Sequence, residues 1–128
     1  MLLNSRRTAV YAYPKPVDLR LGYNGLFHRV QTGLGRDPLS GELYLFLNAR
    51  RTSCKVLVWD GTGLCIFMKR LEGSRFAALW AEDGATVKLT TSELALFIEG
   101  SRLVGKTPLS PQEFVPNIAR GLDADPGL

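Results

Sequence analysis

The sequence predicts an α+β fold: one domain with an antiparallel sheet built on a central β-hairpin. Three observations predict it. Apolar runs near residues 43–48, 55–60 and 64–70 have strand length and hold most of the large apolar side chains. The last two flank Trp59-Asp60-Gly61-Thr62-Gly63, and Asp-Gly between apolar runs signals a hairpin because glycine accepts the positive φ of the turn. Two stretches of helical character, about 18–33 and about 91–99, lie on either side of these strands.

Taken in order, residues 1–8 read as a flexible arm and 9–102 as the domain. Ala9–Tyr13 is an N-terminal strand, stopped by Pro14-Lys15-Pro16 because proline has no ladder N–H. Asp18 stands where a helix N-cap belongs. Leu19, Tyr23, Leu26, Val30 and Leu34 then recur on one helical face, which is expected to pack on the sheet. Gly22 and Gly25 weaken that helix, which implies a close neighbour against their bare backbone or, alternatively, a ligand. Gly33 and Gly35 end it, Gly33 being placed for a left-handed cap. Arg36–Gly41 is a turn, and Asn48–Ser53 a polar loop with Arg50 and Arg51 at its tip.

On the hairpin, Val56, Val58, Cys65 and Phe67 share one face, while Leu57, Trp59, Leu64, Ile66 and Met68 share the other. Both faces are apolar, so the hairpin is expected mid-sheet with cover on each side. Arg75–Trp80 is a further strand candidate and Thr86–Leu89 a short one. Thr90 with Glu93 forms a capping box that opens the second helix, and Gly100 stops it. Residues 103–128 are Pro- and Gly-rich and are expected to be a partly ordered tail.

At 128 residues, with 45% hydrophobic and 22% charged, the chain can build a core without metal or disulfide staples. Neither a bilayer-length apolar run nor a secretory h-region is visible, so the expected compartment is the cytoplasm. Cys65 should pair near Val58, leaving Cys54 about 13 Å further along the ladder at strand rise. A disulfide needs Cα atoms within about 7 Å, so both are expected as free, buried thiols. The net charge of +4 is uneven. Residues 1–81 carry twelve Lys/Arg against five Asp/Glu, and residues 82–128 carry four against seven. Such a basic body suits a polyanion, although solubility charge explains it equally well.

Little supports catalysis. His28 is the sole histidine, no Ser-His-Asp or Cys-His set is apparent, and two cysteines with one histidine make no recognised zinc spacing. Gly61-Thr62-Gly63 lacks the lysine and flanks of a phosphate loop. No enzyme activity, cofactor or metal is therefore expected. The basic residues are more informative. Arg50, Arg51 and Lys55 lie at or beside one loop, and an antiparallel hairpin returns Lys69 and Arg70 to the same end, with Arg75 close behind. Six gathered cations form a candidate patch for the phosphate backbone of DNA, with low sequence specificity because neither helix carries a base-reading row. The competing reading is a solvated strand end.

Several segments, namely DPLSGELYLFLNARR, KVLVWDGTGLCIFMKRLEGSRF, VDLRLGYNGL and TTSELALFIEG, resemble the accessory protein TnpB (Orf2) of the bacterial insertion sequence 66 family. The likeness spans about residues 9–102. Leu21 stands where that family often has Lys, and Leu47 and Thr52 where it often has Arg. This family is not the RNA-guided nuclease also called TnpB, whose acidic triad has no counterpart motif here. The resemblance implies a protein encoded beside a transposase and needed for efficient transposition. Its partners would be DNA or, as an adaptor, the cognate transposase or another element-encoded protein.

Overall fold

Alternation of apolar side chains along the strands gives the sheet two faces that both need cover, and the chain covers each with different material. The structure, a computed structural model, describes residues 8–100. It contains β1 (Val10–Ala12), α1 (Tyr23–Gly33), β2 (Leu43–Leu47), β3 (Ser53–Trp59), β4 (Leu64–Arg70), β5 (Val87–Leu89) and α2 (Thr91–Ile98). The strands form one five-stranded sheet in the order β4-β3-β2-β1-β5. The α+β class stands. The expected arm 1–8 lies almost wholly, and the tail 103–128 wholly, outside the described residues.

The hairpin register follows the Asp-Gly signal. Val58 pairs with Cys65 and Trp59 with Leu64. The Asp60 N–H donates to the Gly63 carbonyl at 3.1 Å, and Gly61 takes φ 103°. Three sheet details differ from expectation. First, β1 runs parallel to β2, with Val10 opposite Leu43, so the sheet is mixed. A parallel pair needs a long crossover, which the segment containing α1 provides. Second, the middle strand is β2, not the hairpin; all five of its residues are buried. β4 is an edge strand, with Phe67 and Met68 exposed. Third, Arg75–Trp80 is no strand. It is an irregular segment whose Phe76 and Leu79 are buried, Phe76 stacking on Phe97 of α2 at 4.9 Å between centroids.

The two faces build two cores. Val10, Ala12, Leu43, Leu45, Leu47, Cys54, Val56 and Val58 meet Phe76, Leu79, Leu94 and Phe97 on one face. On the other, Tyr44, Phe46 and Leu57 meet Leu26 and Val30 of α1 together with Tyr13, Val17 and Leu19. Burying large apolar side chains on both faces is the main stabilising term for a sheet of this size.

The helix ends show which local signals won. Thr90 and Glu93 form the expected reciprocal capping box. Asp18, by contrast, caps nothing. Its carboxylate accepts from the Arg20 N–H at 2.9 Å and holds the Arg20 guanidinium, and α1 begins only after Gly22. The left-handed residue after α1 is Gly35, not Gly33. Gly33 is required for another reason: a Cβ there would come within 2.6 Å of Tyr13 Cε1. Close packing also explains Gly25, whose added Cβ would meet the Leu21 side chain, whereas Gly22 has open space around it.

Candidate nucleic-acid interface

The loop between β2 and β3 is held by one side chain. Asn48 Oδ1 accepts from the Thr52 and Ser53 N–H groups at 2.9 and 3.1 Å, and its Nδ2 donates to Thr52 Oγ1. This folds residues 48–53 into a fixed turn and puts Arg51 at φ 60°, a backbone region that non-glycine residues seldom enter. The strained residue is secured twice. The Phe76 N–H donates to the Arg51 carbonyl at 2.7 Å, and Arg51 Nη1 donates to the Phe76 carbonyl at 2.9 Å. The Leu71 N–H bonds the Thr52 carbonyl, closing β4 onto the same loop.

The six cations expected at this end divide into two groups. Three anchor the layers to the sheet. Arg51 holds the segment around Phe76. Lys55 Nζ donates to the Leu21 carbonyl at 2.9 Å, tying the turn before α1 to β3. Lys69 Nζ donates to the Ile98 carbonyl at 2.9 Å, where a cation satisfies the last turn of α2. All three are partly buried. The other three, Arg50, Arg70 and Arg75, are exposed. Arg70 pairs with Glu72 at 2.8 Å, but both side chains are at least 70% exposed, so the pair adds little and opens readily. The guanidiniums of Arg50 and Arg75 make no ion pair or hydrogen bond to a described residue. The Arg51–Phe76 and Thr52–Leu71 bonds bring the backbone beside all three to one corner of the sheet.

An open groove adjoins this corner, lined by Pro16, Val17, Leu19, Arg20, Ala49 and Met68 among others. Arg20 thereby joins the perimeter. A helix face is the wrong frame for finding it, because it lies in the turn before α1. Asp18-Leu19-Arg20 carries the local signal: an aspartate can accept from the N–H two residues on as readily as it can cap a helix. Arg20 pairs with Asp18 at 2.7 Å, an exposed pair like that of Arg70 with Glu72. That hydrogen-bonded guanidinium draws the Asp18 pKa down to about 2.

Asp60, the turn aspartate, is spent on the backbone. Oδ1 accepts from the Thr62 and Gly63 N–H groups at 2.9 Å each, and Oδ2 accepts from Cys65 Sγ at 3.5 Å. The backbone N–H of Thr62, followed by that of Gly63, holds its pKa down at about 2. Both cysteines are free; Cys54 is fully buried, which pushes its thiol up to about 11. Cys65 is only half-buried, against the expectation of two buried thiols, because β4 is an edge. Among the described residues no three His, Cys, Asp or Glu side chains are grouped for a metal, and no helix is long and apolar enough to cross a membrane.

Comparison with known proteins gives the lineage. The family description IS66 Orf2 like protein matches residues 8–107. The uncharacterized protein y4jC of Sinorhizobium fredii is 32% identical over 100 residues, covering 78% of this chain and 85% of that protein. The uncharacterized protein y4hO of the same organism is 34% identical, covering 78% and 86%. No solved structure matches. The chain therefore belongs to the IS66 Orf2-like family, whose members are accessory proteins of insertion-sequence transposition.

Proposed function

We propose that this accessory protein binds the DNA phosphate backbone with the corner formed by Arg50, Arg70 and Arg75, and performs no catalysis of its own. The observation that carries this is the division of labour among the six cations. Arg51, Lys55 and Lys69 hold structure, while exposed guanidiniums remain beside them on the Asn48-held loop, the end of β4 and the segment bonded to Arg51. Guanidiniums on a fixed frame suit phosphate oxygens, because little order is lost on contact. Lys55 and Lys69 keep further donors on each ammonium and add to the local positive field. Fluorescence anisotropy with element-end DNA tests the proposal. Arg50→Glu with Arg75→Glu should weaken binding about tenfold or more at low salt. Equal binding by the charge-reversed protein removes the proposal.

The open groove favours a second reading, in which the protein contacts the cognate transposase. Its lining of Pro16, Val17, Leu19, Ala49 and Met68 is largely apolar, as protein-binding surfaces are at their centres. A pull-down that recovers no transposase, with or without DNA, removes this reading.

A further inference from the structure

We propose that β4 is the self-association edge of this protein, pairing antiparallel with β4 of a second copy about a two-fold axis at Phe67.

The argument begins with where the backbone groups of β4 point. At one end of the hairpin the Asp60 N–H bonds the Gly63 carbonyl, and at the other the Leu71 N–H bonds the Thr52 carbonyl. Hydrogen-bonded pairs alternate along an antiparallel ladder. Residues 63, 65, 67, 69 and 71 therefore turn their N–H and C=O toward β3. Leu64, Ile66, Met68 and Arg70 turn theirs outward, and among the described residues no strand pairs with that side.

An unpaired edge is usually blunted by charge, proline or a bulge. β5, the opposite edge, is three residues long with Lys88 at its centre. β4 has no such protection along most of its length. Its seven residues run without a break in register, contain no proline, and are uncharged from Leu64 to Met68. Phe67 and Met68, two of the four exposed large hydrophobics, are adjacent on it, one on each face.

The strand also complements itself. A two-fold at Phe67 sets Leu64 against the partner copy's Arg70 and Ile66 against its Met68, the four residues whose backbone points outward. The same register overlaps the whole of Leu64–Arg70. Phe67 then faces its own copy in a non-hydrogen-bonded pair, where side chains approach most closely. Met68 covers Ile66 on the other face. No like charges meet. Lys69, whose ammonium stays on the Ile98 carbonyl, comes opposite the uncharged Cys65. A one-residue slip would put outward backbone against inward backbone, and is therefore excluded.

Sedimentation velocity of the full chain across a concentration series should show a reversible monomer–dimer equilibrium. Met68→Pro removes an outward N–H and leaves the β3 ladder intact, so it should keep the far-UV circular dichroism while weakening the dimer about tenfold or more. Cross-linking tests the register independently. With Cys65→Ser in place, Phe67→Cys should give a disulfide-linked dimer on mild oxidation, whereas Leu64→Cys, which faces Arg70, should not. A monomer at every concentration, or equal cross-linking from both positions, overturns the proposal. So does a monomer whose Ile66 and Met68 amides resist hydrogen exchange, because the edge would then be covered by the chain's own residues beyond 100.

Discussion

Arg51 and Arg50 are adjacent in sequence and opposite in role. Arg51 combines a φ of 60° with two bonds to Phe76. Arg51→Ala keeps the strained backbone but loses the guanidinium bond and leaves the Phe76 carbonyl without that donor, which should cost about 1–3 kcal/mol. Arg50→Ala should change stability by less than about 0.5 kcal/mol, since its side chain holds none of the described residues. Urea unfolding of the two variants checks the difference. Sequence alone could not separate them: two neighbouring arginines in a polar loop look alike, and only the third dimension shows which one meets Phe76. Asp60 gives a second residue-scale expectation. Its folded pKa of about 2 lies below the ordinary 3.8, so its contribution is complete above about pH 4 and is lost as pH falls from about 4 toward 2. Asp60→Asn should flatten the dependence of Tm on pH within that window, leaving the share due to Asp18. An unchanged profile would mean that the turn bonds do not favour the charged form.

At the scale of elements, what was legible follows how local the deciding interaction is. The hairpin and its register were readable because Asp60-Gly61 encodes the turn within four residues. The capping box was readable because Thr90 and Glu93 satisfy each other's neighbourhood. The start of α1 was not, because Asp18 serves a local turn with Arg20 as well as it would serve a cap. Arg75–Trp80 has a strand's apolar content. Its place is nonetheless set by distant partners, the loop at Arg51 and the ring of Phe97, and such contacts leave no local pattern. The parallel β1–β2 pair was within reach. A strand, a helix and another strand in succession suit a crossover, a cue less local than the Asp-Gly hairpin signal. Gly33 makes the packing of this crossover testable. Gly33→Ala forces its new methyl into the Tyr13 ring, which is buried against Phe46. Although alanine is the better helix former, the variant should be destabilised by about 1–3 kcal/mol. A gain in Tm on thermal melting would show that Tyr13 can move aside.

For the whole molecule, one sheet serves three ends. Its faces make the core, one corner gathers exposed guanidiniums, and its β4 edge is open among the described residues. Six of the chain's sixteen Lys and Arg thus divide between two roles, layer anchoring and the exposed corner. Composition could not divide them, because an anchored lysine and a free arginine count equally toward net charge. If the edge pairs as proposed, each dimer presents two corners, and two moderate contacts with one DNA would reinforce each other. The most direct test of the central claim is the salt dependence of DNA binding by the wild-type chain and by a protein with Arg50→Ala, Arg70→Ala and Arg75→Ala. The logarithm of affinity should fall linearly with the logarithm of salt concentration. The triple variant should show a slope shallower by roughly 2–3, about one for each lost phosphate contact. The same slope in both proteins, or no binding by the wild type even at low salt, would contradict the account.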